Sequence, residues 1–296
     1  MDSYIITIGI FIAINSIVVS GLNIIVGYAG QISLGHAAFF GIGAYTAAIL
    51  ATKAGLSFWI SLPIVIIITG IIGLLMGLPS LRVREDFLAI TTIGINFIVE
   101  AFFMYVPFFG GALGIGGIPR IEFFGTPLHG FTFLLLCLIF LVIALFISWW
   151  FTKAWCGLAC FTLRDDEVAA STIGVSPVKF KLLAFVMGTA MAGIGGALYA
   201  HYMRFISASD FGFPVSVMML SMLVVGGMGT VWGPILGAAI LGILPEVFRP
   251  LIDYRMLLYA TLLLLVIRLQ PGGILGDNGF VKSRLKAFSR GGKNEK

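Results

Sequence analysis

Charge is what this sequence has least of. Only 10% of its 296 residues are Asp, Glu, Lys or Arg, against about 25% in an ordinary soluble domain. Hydrophobic residues make up 59%, and the mean hydropathy is +1.09. A soluble fold of this length could not hide so much apolar surface, so the solvent for most of the chain is lipid. Cysteine is scarce as well. Cys137, Cys156 and Cys160 show neither a CxxC pair nor metal-ligand spacing, and His36 has no second His, Cys or carboxylate placed to share a metal. No Ser or His has an arranged acid beside it, which removes support for a hydrolase. The phosphate-binding pattern G-x-x-x-x-G-K-[ST] is missing, so any nucleotide hydrolysis the protein depends on belongs to another polypeptide. The start, Met1-Asp2-Ser3, lacks the basic residues of a signal peptide, and the run after it is too long for one. It reads as a retained first span. The net charge of +5 lies mostly in the tail, which points to anionic lipid or a solvated end rather than nucleic acid.

What is present is a series of apolar runs. A membrane helix needs about 20 such residues, and nine runs qualify or nearly so. They are Tyr4–Val26, Gln31–Thr52, Ser57–Leu78, Phe87–Val106, Gly130–Phe151, Leu182–His201, Phe213–Val225, Val231–Phe248 and Arg255–Leu269. The seventh is short and is expected to be broken or re-entrant. The fold class is all-α: a polytopic membrane bundle of eight to nine segments, with glycine-rich helices open to being broken. Residues 1–275 form one membrane domain and 276–296 a basic tail. Residues 79–86, 152–181 and 268–296 hold thirteen of the 18 Lys and Arg, leaving Lys53, Arg120, Arg204, Arg249 and Arg255 opposite. The richer side is cytoplasmic by the positive-inside rule. This puts the N-terminus outside and the C-terminus inside.

Glycine is dense in two places, Gly27–Ala48 and Gly226–Gly242. Each glycine weakens a helix interior by about 1 kcal/mol relative to alanine, so the density needs a reason. Close helix approach is one, through the spacing of Gly229, Gly233 and Gly237 and of Gly188, Ala192, Gly196 and Ala200. A broken helix lining a pathway is the other, with Gly30 and Gly35 as candidates in the first block.

Between two membrane-length runs lies the only long polar insert, KAWCGLACFTLRDDEVAASTIGVSPVKFK at 153–181. Asp165, Asp166 and Glu167 suit a helix start. Gly174 suits the position just past its end, and Pro177 prevents continuation. A helix of about two turns with small residues, Ala169 and Ala170, is not stable alone in water. It suits a piece gripped by a cytosolic partner, or an ordinary interfacial loop helix.

Four blocks resemble the M-type permease subunit of the branched-chain amino acid importers of the ATP-binding cassette class. They are GYAGQISLGHAAFFGIGAYTAA (27–48), FGGALGIGGIP (109–119), LRDDEVAASTIGVSPVKFKLLAFVMGTAMAGIGGALYA (163–200) and GGMGTVWGPILGAAILGILPE (226–246). The resemblance implies that Asp165, Asp166, Glu167, Ala169, Ala170 and Gly174 form the element coupling the permease to its ATPase. The family pattern Glu-Ala-Ala, three residues, Gly reads here as Val168-Ala169-Ala170, three residues, Gly174, with the acid one place earlier. A Gly-Glu pair common in the fourth span is replaced by Asn96-Phe97. The resemblance further implies two cytosolic ATP-binding subunits, a second related permease, an external substrate-binding protein, and no cofactor on this chain, ATP being bound by the partners. A permease for urea or short amides is the nearest alternative, and an ion-coupled transporter working alone is a more distant one.

The residues offer candidates for a pathway. Gln31, Ser33 and His36 could present polar groups to a passing zwitterion or simply bond neighbouring helices; Ser33 and His36 share a face if the helix continues there. Glu100, with Asn96 one turn earlier, is the one ionisable residue well inside a span. It fits a polar contact along a path or a contact between helices. Phe109–Pro119 could receive a partner or cap the bundle. Trp149, Trp150 and Trp155 fit an interfacial belt.

Overall fold

The computed structural model describes residues 2–80, 85–123, 125–247 and 272–276, with isolated positions at 261, 264, 265 and 268. The apolar runs fold as α-helices because a helix satisfies its own backbone groups where no water can. Helix α1 (Asp2–Leu22) continues into a π-helical turn, Asn23–Tyr28. Then come α2 (His36–Thr52), α3 (Phe58–Ser80), α4 (Glu85–Tyr105) and α5 (Phe131–Lys153). The polar insert forms α6 (Trp155–Asp165) and α7 (Glu167–Thr172). Helices α8 (Pro177–Met203), α9 (Phe213–Gly226) and α10 (Gly233–Val247) complete the described bundle. Among the described residues, six helices are long and apolar enough to cross a membrane, and α2 and α10 are shorter apolar helices. The predicted span Arg255–Leu269 and the tail lie outside the described residues, apart from those isolated positions.

Two expectations are corrected here. The second span starts at His36 and not at Gln31, because residues 29–35 are irregular and Gly30 takes φ +71°. Ser33 and His36 therefore share no helix face. Second, Gly229, Gly233 and Gly237 do not form one helical stripe. Gly229 lies in the turn between α9 and α10 at φ +77°. Gly233 opens α10, and Gly237 alone packs within it, against the backbone of Met222 and Gly226 on α9. The seventh segment, expected to be short, gains length from a 3-10 turn, Ala208–Phe211, ahead of α9; together they make an apolar crossing, Ala208–Gly226.

Helix α8 is the central post. Pro177 opens it at a position where a missing N–H costs nothing. Its small residues let neighbouring backbones touch: Gly188 meets Gly21 of α1, and Gly193 and Gly196 meet Gly43 and Phe40 of α2. Ala192 and Ala200 on the same stripe are fully buried. Close approach replaces the hydrophobic drive that lipid removes.

At one end of α8 the chain is laced to the glycine-rich loop. Strand β1 (Ile115–Gly116) pairs antiparallel with β4 (Phe205–Ile206), while β2 (Glu122–Phe123) and β3 (Thr126–Pro127) form a hairpin. His201 Nδ1 lies 2.8 Å from the Pro119 carbonyl, and Ile118 N–H donates to the Arg204 carbonyl at 3.3 Å. Ile115, Ile118 and Ile121 are buried. Phe109 stacks at an angle on Phe102, Phe103 and Tyr45. In this chain the loop caps the bundle, as one of the two expectations had it. At the other end of α8 sit α6 and α7. Trp149, Trp150 and Trp155 are exposed there, as an interfacial belt requires.

Candidate functional site

The insert makes a helical hairpin. Asp166 takes an extended backbone (φ −157°, ψ 106°) that separates α6 from α7, and its carboxylate accepts from Ala169 N–H at 2.9 Å. This is an N-cap, with negative charge where the helix dipole favours it. Asp165 thus closes α6 and is not part of α7, although the expected short helix began with it. Gly174 takes φ +88° just past the end, with Gly174 N–H bonded to Ser171 O (3.1 Å) and Val175 N–H to Ala170 O (3.1 Å). That closure suits glycine because it requires positive φ.

Six residues do not hold a helix alone, and two contacts hold this one. Ala170 is 3% exposed and packs with Ala159, Leu163 and Val175. Glu167 Oε2 accepts from Lys181 Nζ at 2.6 Å, tying α7 to the second turn of α8. The opposite face stands free of the bundle. Val168 and Ile173 are each 74% exposed, and Ala169, Ser171 and Thr172 are exposed beside them. The hairpin also places two of the cysteines. Cys160 is buried and donates to the Phe180 carbonyl at 3.5 Å, while Cys156 is half-buried. Burial pushes the Cys160 thiol up to about 12, with Cys156 a smaller cause. The thiolate is the reactive form and is on the order of one part in ten thousand at pH 8. Maleimide at that pH is expected to leave Cys160 unlabelled until the protein is denatured. Labelling stays slow up to about pH 11; peptide mass spectrometry checks this.

The second group of candidates surrounds the break before α2. Among the described residues, the buried Gln31 amide, Ser33 hydroxyl and His36 Nδ1 have no hydrogen-bond partner. His36 Nε2 lies 3.1 Å from the Val18 carbonyl, which requires the proton on Nε2. Asn96 is fully buried and partnered: its Oδ1 accepts from Ser216 Oγ (3.3 Å), and its Nδ2 faces Phe211 O at 3.4 Å. Ser216 Oγ in turn accepts from Ala37 N–H at 3.0 Å, and Thr92 Oγ1 accepts from Leu34 N–H at 3.0 Å. Ser216 of α9, itself bonded to Asn96 of α4, thereby serves a free N–H in the first turn of α2, which Gly35 leaves without a side-chain cap, while Thr92 of α4 serves Leu34 just ahead of it. Gly35 itself lies against the Thr92 carbonyl. Glu100 is half-buried beside Gly212 and stands apart from this network. An apolar cavity of about 470 Å³ lies between α2, α3 and α4, lined by residues including Ile42, Tyr45, Ile72, Ile98 and Phe103.

Sequence reasoning missed four residues that join these parts. Asn23 reaches across to the α9–α10 turn, accepting from Gly229 N–H at 2.9 Å and donating to Thr230 O at 2.8 Å. Arg164 donates from Nη1 to the Gly27 carbonyl. Thr92 and Ser216 are the others. Asn23, one of two asparagines in the first apolar run with Asn15, was the one available signal.

Among the described residues, six helices long and apolar enough to cross a membrane, with a small capped hairpin at one end, define a polytopic membrane bundle. The chain belongs to the family described as branched-chain amino acid transport system / permease component, which matches residues 4–267. It is similar to the high-affinity branched-chain amino acid transport system permease protein LivM of Escherichia coli and to its namesake in Salmonella typhimurium. Each is 35% identical over 280 residues, covering 86% of this chain and 66% of that protein. This chain thus spans just under two thirds of the length of those relatives. A probable LivM of Methanocaldococcus jannaschii is 27% identical over 285 residues, 84% of this chain and 81% of that protein. LivH of Escherichia coli, another high-affinity permease protein for branched-chain amino acids, is 32% identical over 122 residues, 40% of this chain and 39% of that one. No solved structure matches.

Proposed function

We propose that this chain is the membrane-spanning subunit of an ATP-binding cassette importer for branched-chain amino acids, driven from α7 by two separate cytosolic ATPase subunits. The observation that carries this is the α7 knob. It is capped at both ends, fastened to α8, and turns Val168, Ala169 and Ile173 away from its own bundle. Small side chains there let a partner approach the backbone closely. The substrate class comes from the relatives' names, and the 470 Å³ cavity between α2, α3 and α4 is of a size and apolar character that suit an aliphatic side chain. The α7 end is cytoplasmic and the β1–β4 end faces outward, where a substrate-loaded binding protein docks. A second, related permease completes the pathway; similarity to both LivM and LivH supports a sister subunit of common origin. ATP is bound by the partners, and this chain performs no chemistry of its own.

The test is uptake of radiolabelled leucine into proteoliposomes. The full set of permeases, ATPases and binding protein should import leucine only with ATP inside. This chain alone should import none, with or without an ion gradient. Uptake by the chain alone under an ion gradient overturns the proposal, and so does ATP-driven uptake of urea in preference to leucine.

A further inference from the structure

Three segments far apart in sequence meet beside Arg164. The first is the end of the first span, where Gly27 lies in the π-helical turn and Gly30 in the break that follows it. The second is the α9–α10 turn at Gly229 and Thr230. The third is the α6–α7 hairpin, which supplies Arg164 two residues before the N-cap of α7. Arg164 Nη1 donates to the Gly27 carbonyl. The notch it lies in exists because its walls have no side chains. A Cβ on Gly30 would stand 2.9 Å from Arg164 Cγ, and one on Gly229 would stand 3.0 Å from Nη1. A Cβ on Gly27 would come within 2.6 Å of Gly229 N. Asn23 clamps the same two breaks together from within the first span, bonding Gly229 N–H and Thr230 O. Among the described residues, the Arg164–Gly27 bond is the one side-chain hydrogen bond from the hairpin to either break.

We propose that Arg164 is the positioning residue that passes displacement of α7 to the two glycine breaks. This rests on the reading of the chain as a permease driven from α7. Two polar ties lead elsewhere. Lys181 fastens α7 to α8, and the Cys160 thiol meets the Phe180 carbonyl on α8. Both lead to the continuous central post, which runs unbroken for 27 residues. Phe161 of α6 packs edge-on against Tyr28 where the first span is interrupted, but among the described residues only Arg164 makes a side-chain hydrogen bond there. There, small shifts change backbone geometry rather than being spread along a rigid rod. Arginine suits this role because its planar fork keeps its charge and offers several donors to a carbonyl-lined notch. A lysine would reach the same place as a single point charge.

The experiment compares the wild-type importer, fully assembled in proteoliposomes, with Arg164→Gln and Arg164→Lys. It reads three quantities: subunits recovered per complex, ATP hydrolysed, and leucine imported. Both variants are expected to assemble in wild-type proportion and to hydrolyse ATP within about twofold of wild type. Leucine imported per ATP should fall on the order of tenfold in Arg164→Gln and less in Arg164→Lys, the range of ordinary coupling energies. If Arg164→Gln does not assemble, Arg164→Lys decides by the same ratio. A ratio equal to wild type overturns the proposal, because a merely structural arginine lowers hydrolysis and uptake together. Failure of the underlying reading looks different: the wild-type assembly would then show no ATP-driven uptake at all.

Discussion

Ala169→Arg is expected to detach the ATPase subunits while leaving the membrane bundle folded. Ala169 is exposed on α7, and only its backbone is engaged: its carbonyl accepts from the Thr172 hydroxyl, and its N–H donates to the Asp166 carboxylate. A longer side chain leaves those bonds intact, and arginine is nearly as good a helix former as alanine. With α7 docked on an ATPase subunit as proposed, the same change forces a bulky charge into a contact that in the wild type holds a methyl group. Truncated or mispaired groups at the centre of an interface typically cost 2 kcal/mol or more, and an unpaired charge adds its desolvation. An affinity loss on the order of 100-fold is therefore expected, about 3 kcal/mol. Co-purification should lose the ATPase, and ATP-driven leucine uptake should fall by a similar factor, with the monodispersity of the permease unchanged. Retained ATPase with normal uptake would remove α7 from the drive.

The neighbouring substitution separates docking from folding. Ala170 points the other way, into the cluster of Ala159, Leu163 and Val175. Ala170→Arg should disorder the hairpin itself, so loss of ATPase in that variant says nothing about a contact surface. Two adjacent alanines look alike in sequence but differ in which face of α7 they occupy. The helix has to be placed against α6 before the difference appears.

That contrast marks how far the sequence was readable. Apolar run length located the spans because a lipid-facing helix is bound by a local rule of about 20 residues. The caps of α7 were legible for the same reason: Asp166 and Gly174 act on backbone groups within four residues of themselves. The glycine blocks signalled that something unusual happens near Gly30 and Gly229, but not what. A stripe of glycines spaced four apart is the same string whether it lies on a helix or spans a turn. The α9–α10 turn depends on Asn23, 206 residues away from Gly229 in the chain, and the Arg164 contact spans 137 residues. Periodicity carries no information about such pairs. Asn96 shows the converse. A polar residue in a span invites a pathway reading, yet here its hydrogen bonds go to Ser216 and Phe211, beside the start of α2.

The largest stability loss is expected where α2 crosses α8. A Cβ on Gly43 would lie within 2.5 Å of the Gly193 Cα, and one on Gly196 would lie 2.7 Å from Ala44 N. Backbone meets backbone there, so no rotamer change relieves the clash. Gly43→Leu has to push the two helices apart, and Phe40, Tyr45 and Phe211, which pack edge-on around the crossing, lose contact with one another. Overpacking by a few methylenes costs about 1–3 kcal/mol, and the opened contacts add to it. At about 2–4 °C per kcal/mol for a chain of this size class, the apparent melting temperature in detergent should fall by roughly 10 °C. Gly94 supplies the control. It is helical, faces outward on α4, and a Cβ there meets nothing within 4 Å. Gly94→Ala should hold or slightly raise stability, since alanine is the better helix former by about 1 kcal/mol. Equal losses at both positions would mean that the α2–α8 crossing is not the close contact on which the bundle is organised.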